Sequence, residues 1–166
     1  MVQLGPSLPI IVVAVLTVIG CGIVSGAFFA FSTFAIWGIA ALPAPAAVRA
    51  MQSVNVAAVR PPLMIALFGT AVLCIVMIIF GVIGLGQGDG WWFLIAGLLY
   101  LIGNPVLTIA YNVPRNNTLA AADPDDPEAG GVWRHYLREW VPANTVRSVT
   151  AAVAAALVII GLVLAG

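Results

Sequence analysis

Between Leu8 and Leu42 the chain carries no charged residue. That run goes well beyond the roughly 20 apolar residues that cross a bilayer as a helix. Three further uncharged runs follow, Pro61 to Leu85, a span from Trp91 to about Val113, and Ser148 to Gly166. Composition agrees with them: 63% of the residues are hydrophobic and 7% charged, against about 45 to 50% and 25% in a soluble domain. The sequence therefore predicts an all-α polytopic membrane protein, a single domain with four transmembrane helices in an antiparallel bundle. The spans are expected near 8–37, 61–85, 91–113 and 146–166, with short interfacial amphipathic helices near 46–59 and 131–140. The first run is longer than a signal peptide's apolar core and lacks a charged segment before it, so it is expected to stay in place as a span.

Prolines and charges punctuate the runs. Pro43 and Pro45 end the first helix and open a second. In that second segment Arg49, Gln52 and Asn55 lie toward one side and Ala47, Met51, Val54 and Ala58 toward another, an amphipathic pattern too short to span. Arg60 precedes the Pro61-Pro62 breaker, and the GLGQGDG turn holds Asp89 as its one charge. Trp91 and Trp92 stand where interfacial anchors belong. The segment AADPDDPEAGG reads as an exposed loop, and VWRHYLREW after it as a helix that Pro142 kinks or restarts. Gly22, Gly26 and Ala30 form a small-xxx-small face, which predicts close helix packing. All six cations are arginines, and they lie in the two connections on one side. By the positive-inside bias that side is cytoplasmic and both termini face outward from the cell membrane. Six acids balance the six arginines, which leaves no basic surface for nucleic acid.

One apolar span is not plain. Asn104, Thr108, Tyr111, Asn112 and Arg115 recur at helical spacing, a polar stripe that must face the bundle interior because an unpaired amide in hydrocarbon costs several kcal/mol. Both connections fall on one side, so Gln52, Asn55, Asn112, Asn116, His135, Asn144 and Arg147 converge at the cytoplasmic mouth. Two readings stay open there. The polar layer forms a ligand pocket, or it is a hydrogen-bond network that pins the helices of a non-enzymatic scaffold. Arg115 and Arg147 likewise either serve that pocket or snorkel to headgroups. The Phe28, Phe29, Phe31, Phe34 and Trp37 cluster is either lipid contact or the wall of a slot for a flat ligand. His135 is the single histidine and has no cysteine or acid spacing that makes a metal site; either its imidazole serves as a general base or it is a residue without a role on an interfacial helix rich in Trp, Arg and Tyr. Cys21 and Cys74 read as small core residues. A transporter is disfavoured, since no acid sits at mid-membrane depth.

The strings FSTFAIWGIAALPAPAAVRAMQSVN, NPVLTIAYNVPRNNTLAA and WRHYLREWVPANTVRSVTA, in that order and separated by apolar spans, resemble the anthrone oxygenase-like membrane family. The resemblance covers roughly Ser25 to Ala155. It implies oxidation of an anthrone, or another flat aromatic or phenolic substrate, by molecular oxygen with no dedicated cofactor and no metal. An anthrone's enolate reacts directly with oxygen, so such a protein needs a base, donors for the enolate oxygen and a dry slot. On this basis His135 is expected as base and Arg115 or Arg147 as anion stabiliser. Asn112, Asn116 and Asn144 would orient the substrate with Gln52, Asn55 and Asn104, while Trp133 and Trp140 line the slot. The bilayer is the other expected partner, and a homo-oligomer is compatible with the sequence.

Overall fold

The computed structural model describes residues 7–84 and 90–165. The GLGQGDG turn with Asp89, the expected end of the second span at Leu85 and the terminal Gly166 lie outside the described residues. Five helical elements follow in order: α1 Leu8–Ala40, α2 Ala44–Ala58, α3 Pro61–Gly84, α4 Gly90–Ala121 and α5 Ala129–Leu164. Four of them, all but α2, are long and apolar enough to cross a membrane, and the described residues contain no strand.

Local chemistry sets the boundaries. Pro43 takes an extended backbone and caps α2, which has a proline in its first turn. Arg60 is extended before Pro61, as the residue preceding a proline is driven to be. Asp123 and Asp126 accept hydrogen bonds from the backbone N–H groups of Asp125 and Glu128, which shapes the α4–α5 loop as successive Asx turns. Arg49 on α2 forms an ion pair with Asp125 of that loop.

Neighbours around the bundle run α1, α3, α4, α5 and back to α1, and each contact is antiparallel. Along α1 and α5, Ser25 meets Ser148 and Phe28 meets Asn144. Along α3 and α4, Gly81 meets Leu94 and Gly97 meets Cys74. The two serines exchange hydrogen bonds, each hydroxyl donating to the other's carbonyl at 2.9 and 3.0 Å. This ties α1 to α5 without exposing a polar group to lipid.

Three details differ from the sequence expectation. The helix expected at 131–140 and the span expected at 146–166 are one continuous α5 that carries Pro142 in its interior. The loss of one backbone N–H does not break so long a helix when it is packed along α1 and α4. Second, the polar end of the third span continues as helix to Ala121. Third, Gly22 and Gly26 are exposed, with nothing within 4 Å of a Cβ added at either. The buried line of α1 runs through Ala14, Thr17, Cys21, Val24 and Phe28, one residue out of phase with those glycines. Close approach falls instead at Gly20 against Thr70, Gly81 against the Leu94 backbone, Gly97 against the Cys74 carbonyl and Gly103 against Thr150.

A belt of exposed Ile, Val, Leu and Phe covers the outside and ends at Val146 on α5 and Val113 on α4. From Val146 to Leu164 the helix rises about 27 Å, near the roughly 30 Å of bilayer hydrocarbon. The 36-residue α5 is about 54 Å long, so its first half stands beyond the belt beside α2.

Candidate functional site

Three of the four long helices leave regular α geometry near one level. Phe31–Ala35 in α1, Ile65–Gly69 in α3, and Ile102–Val106 and Thr108–Asn112 in α4 are π-helical turns. Each such turn widens the helix by a residue, and such turns gather at functional sites. Here they flank a cavity of about 370 Å³, at the small end of the range for ligand sites.

All five helices contribute to its wall. Phe28 and Phe31 come from α1, Met51 and Asn55 from α2, Met64 and Leu67 from α3, Thr108 and Asn116 from α4, and Trp140, Asn144 and Arg147 from α5. The expected aromatic cluster of α1 therefore divides. Phe28 and Phe31 face the cavity, whereas Phe29, Phe34 and Trp37 are exposed on the apolar belt.

Arg147 organises the polar part of the wall. Its guanidinium donates to Asn144 Oδ1 at 2.6 Å and Thr108 Oγ1 at 2.9 Å, and lies 3.9 Å from the centroid of the Phe28 ring. The residue is 5% exposed, and no described carboxylate forms an ion pair with it. A buried cation without a counter-ion is costly, so the surrounding dipoles and the aromatic face must carry it. Asn144 is fixed in turn: its Nδ2 donates to the Phe28 carbonyl and to Ser32 Oγ, both at 2.7 Å. Phe28 lies at the edge of a π-helical turn, and the amide satisfies a carbonyl there.

Three wall residues keep a buried donor nitrogen with no protein partner: Asn55 Nδ2, Trp140 Nε1 and Arg147 Nε. Buried donors in native proteins are nearly all paired.

The other predicted residues lie elsewhere. His135 is exposed and lines a second, separate pocket of about 260 Å³ with Arg115, Tyr136 and Glu139. Arg115 Nε pairs with Glu139 Oε2 at 2.8 Å and its guanidinium stacks on Tyr111, while His135 Nε2 is 3.5 Å from Glu139 Oε1. The expectation of one shared pocket is thus corrected. Along α5 the inward residues are Trp133, Tyr136, Trp140, Asn144 and Arg147, and His135 sits about 100° around the helix from Tyr136. Gln52 is also engaged differently, since its Nε2 donates to the Leu119 and Ala122 carbonyls at 2.9 and 3.0 Å. It caps the end of α4, whose last carbonyls have no partner within the helix.

Trp133 stacks on Tyr136, which stacks on Trp140, at 5.7 and 5.8 Å between centroids. Trp133 backs the wall without lining it. Asn104 donates to Thr150 at 3.2 Å, and Asn112 is buried with no side-chain partner; both sit behind the wall. Asn116 lines the cavity and accepts from the Tyr136 hydroxyl at 3.0 Å. Tyr136 and Ser32 were not foreseen as part of this layer, although Tyr136 follows Trp133 by three residues and precedes Trp140 by four, the spacing of a single helix face.

A family model described as Anthrone oxygenase matches residues 62–157. The matched stretch takes in nearly all of α3, α4 and the loop after it, and α5 as far as Leu157, Arg147 included. No curated protein and no solved structure matches the chain.

Proposed function

The chain belongs to the anthrone oxygenase family, and from that premise we propose that the cavity around Arg147 binds a flat aromatic ketone and promotes its oxidation by molecular oxygen. The observation that carries this reading is the buried Arg147, unpaired with any described carboxylate, in an aromatic-walled cavity beside unpartnered Asn55 and Trp140 nitrogens. Phe28, Phe31 and Trp140 supply apolar faces for a ring system. Arg147, Asn55 and Trp140 supply donors for its oxygen.

The chemistry follows from the substrate's acidity. Loss of a proton from the ring methylene leaves an enolate whose negative oxygen sits against the guanidinium, the kind of charge development that preorganised donors stabilise. Oxygen adds at the carbon and takes up the electron pair, and the resulting hydroperoxide loses water to leave a carbonyl. The methylene and one dioxygen thus become one carbonyl and one water, with no external reductant. His135 takes no part in this scheme, because it faces the other pocket. The proton given up by the methylene is regained by the peroxide anion as the hydroperoxide forms, so the sequence releases no net proton.

A purely structural network accounts for Asn144, whose bonds are complete. It does not account for three donors left unpartnered around one cavity. The positive-inside bias of the arginine-bearing connections supports a cytoplasmic position for this end of the bundle, with both termini outside.

Oxygen uptake with a model anthrone, in detergent or vesicles, tests the scheme. Arg147→Gln is expected to lower the rate by about 10²- to 10³-fold, the usual loss for one oxyanion donor. Trp140→Phe should lower it less, and His135→Ala should leave it near wild type. Equal rates for wild type and Arg147→Gln would remove the assignment.

A further inference from the structure

The cavity is walled toward both ends of the bundle and along α5. Toward the α2 end it is closed by a buried layer of Ile36, Val48, Leu119, Trp133 and Tyr136. Toward the 85–89 end it is closed by Cys21, Val24, Cys74 and Tyr100, with the Tyr100 hydroxyl donating to the Leu67 carbonyl at 3.0 Å. The Ser25–Ser148 exchange seals α1 against α5. Gly103 against Thr150, and Asn116 with Tyr136, seal α4 against α5.

Between α3 and α4 the packing is uneven along its length. Gly81 and Gly97 bring the two backbones together toward Gly84 and Gly90, whereas the first turns of α3 pack only lightly on α4, chiefly at Ile102–Val106. Four residues at this gap line the cavity and are exposed on the outside as well: Val59, Phe68, Ile109 and Val113. Ile109 is 60% and Phe68 43% exposed. All four are apolar, three belong to the belt that faces hydrocarbon, and Arg60 next to Val59 marks the headgroup level.

We propose that this gap is a lateral portal through which the cavity is filled directly from the bilayer, so that its ligands are uncharged, membrane-dissolved aromatic ketones. The inference rests on the cavity being the ligand site proposed above. A charged or strongly hydrated molecule has no path across that rim, since every rim side chain is apolar and leaving water for hydrocarbon is costly for a charge. A neutral ketone has a path and meets the donors only at the inner end. The enolate then forms inside, where Arg147 retains it, and the neutral product leaves the way its precursor came. Phe68, Ile109 and Val113 are thus specificity-determining residues that never touch the reacting atoms.

The test uses the full chain in phosphatidylcholine vesicles containing a phospholipid with a diazirine in its acyl chain. Because that probe is tethered in the bilayer, it reaches the buried wall residues Phe28 and Trp140 only through a lateral opening. Photolysis and peptide mapping are expected to give adducts at Phe28 and Trp140 in the wild type. Those adducts should be lost in Ile109→Phe/Val113→Phe, which fills the rim, and kept in Val153→Phe, an equally lipid-facing site on α5. Labelling of Val153 and Ile79 in all wild-type samples confirms that the probe reports lipid contact. Lipid contact at Val153 without adducts at Phe28 or Trp140 in the wild type overturns the portal, as do adducts that persist unchanged in the double variant. Oxygen uptake on the same samples should fall in the double variant alone. A wild type that labels as expected yet consumes no oxygen with anthrone leaves the portal standing and removes the reaction.

Discussion

Asn144 shows how one side chain serves both fold and site. Its amide nitrogen bridges the Phe28 carbonyl and Ser32, and its oxygen holds the Arg147 guanidinium. Asn144→Ala leaves a buried carbonyl and a buried cation short of partners, at about 1–3 kcal/mol for an unsatisfied group and more for a charged one. Thermal unfolding in detergent should show a lower Tm, and oxygen uptake should fall with it. Asn144→Asp supplies the counter-ion that Arg147 lacks but cannot donate to the Phe28 carbonyl, so the Tm should fall here too, while activity is lost to an internal ion pair. Activity equal to wild type in Asn144→Asp would mean that the unpaired charge is not what the site uses. Helical spacing made part of this layer legible, since Trp140, Asn144 and Arg147 recur at four and three residues. His135 was drawn in because its connection lies on the same side, and placement by connection carries no helical phase: it is one step off the Tyr136 face. Gln52 was misplaced for a different reason: a capping bond to α4 depends on two helices meeting, and no single-segment pattern contains that.

At the scale of the element, the long uncharged runs and the prolines located all five helices, because bilayer thickness and the missing proline N–H act locally. Continuity through Pro142 was not legible, for it depends on neighbours on both sides of α5. Neither were the π-helical turns, whose extra residue leaves no mark in composition. The glycine reading failed at Gly22 and Gly26 for want of a phase, and the contacts at Gly81 and Gly97 supply what those positions lack. An added Cβ at Gly81 would lie 2.6 Å from the Leu94 backbone nitrogen and 2.8 Å from the Gly90 carbonyl oxygen, atoms that cannot rotate away. Gly81→Ala should therefore force α3 from α4 and destabilise by about 1–3 kcal/mol. Gly22→Ala, with open space around it, should change stability by less than about 1 kcal/mol. Unfolding of both variants in one detergent compares them directly, and equal midpoints would contradict the packing described.

For the whole molecule, alternating antiparallel helices put the start of α1 and the end of α5 on one side and α2 with the 122–128 loop on the other. By the positive-inside bias the arginine distribution leads us to expect the latter side in the cytoplasm. Cys21 and Cys74 are buried, so a cysteine introduced at Asp125, itself exposed, reports alone. In intact cells a membrane-impermeant maleimide should label Asp125→Cys only after permeabilisation; labelling beforehand would invert the topology. The distribution of sulfur carries one more implication. Both thiols and Met77 lie in the sealed core, whereas the thioethers of Met51 and Met64 stand in the cavity wall. On the proposed reaction, a peroxide that strays before it loses water would meet those two methionines first, and sulfoxide at Met51 and Met64, with Met77 spared, would be a chemical record of that straying. Intact-mass and peptide mass spectrometry before and after prolonged turnover would read that record. An even spread of oxidation over the three would place the reactive oxygen outside the cavity.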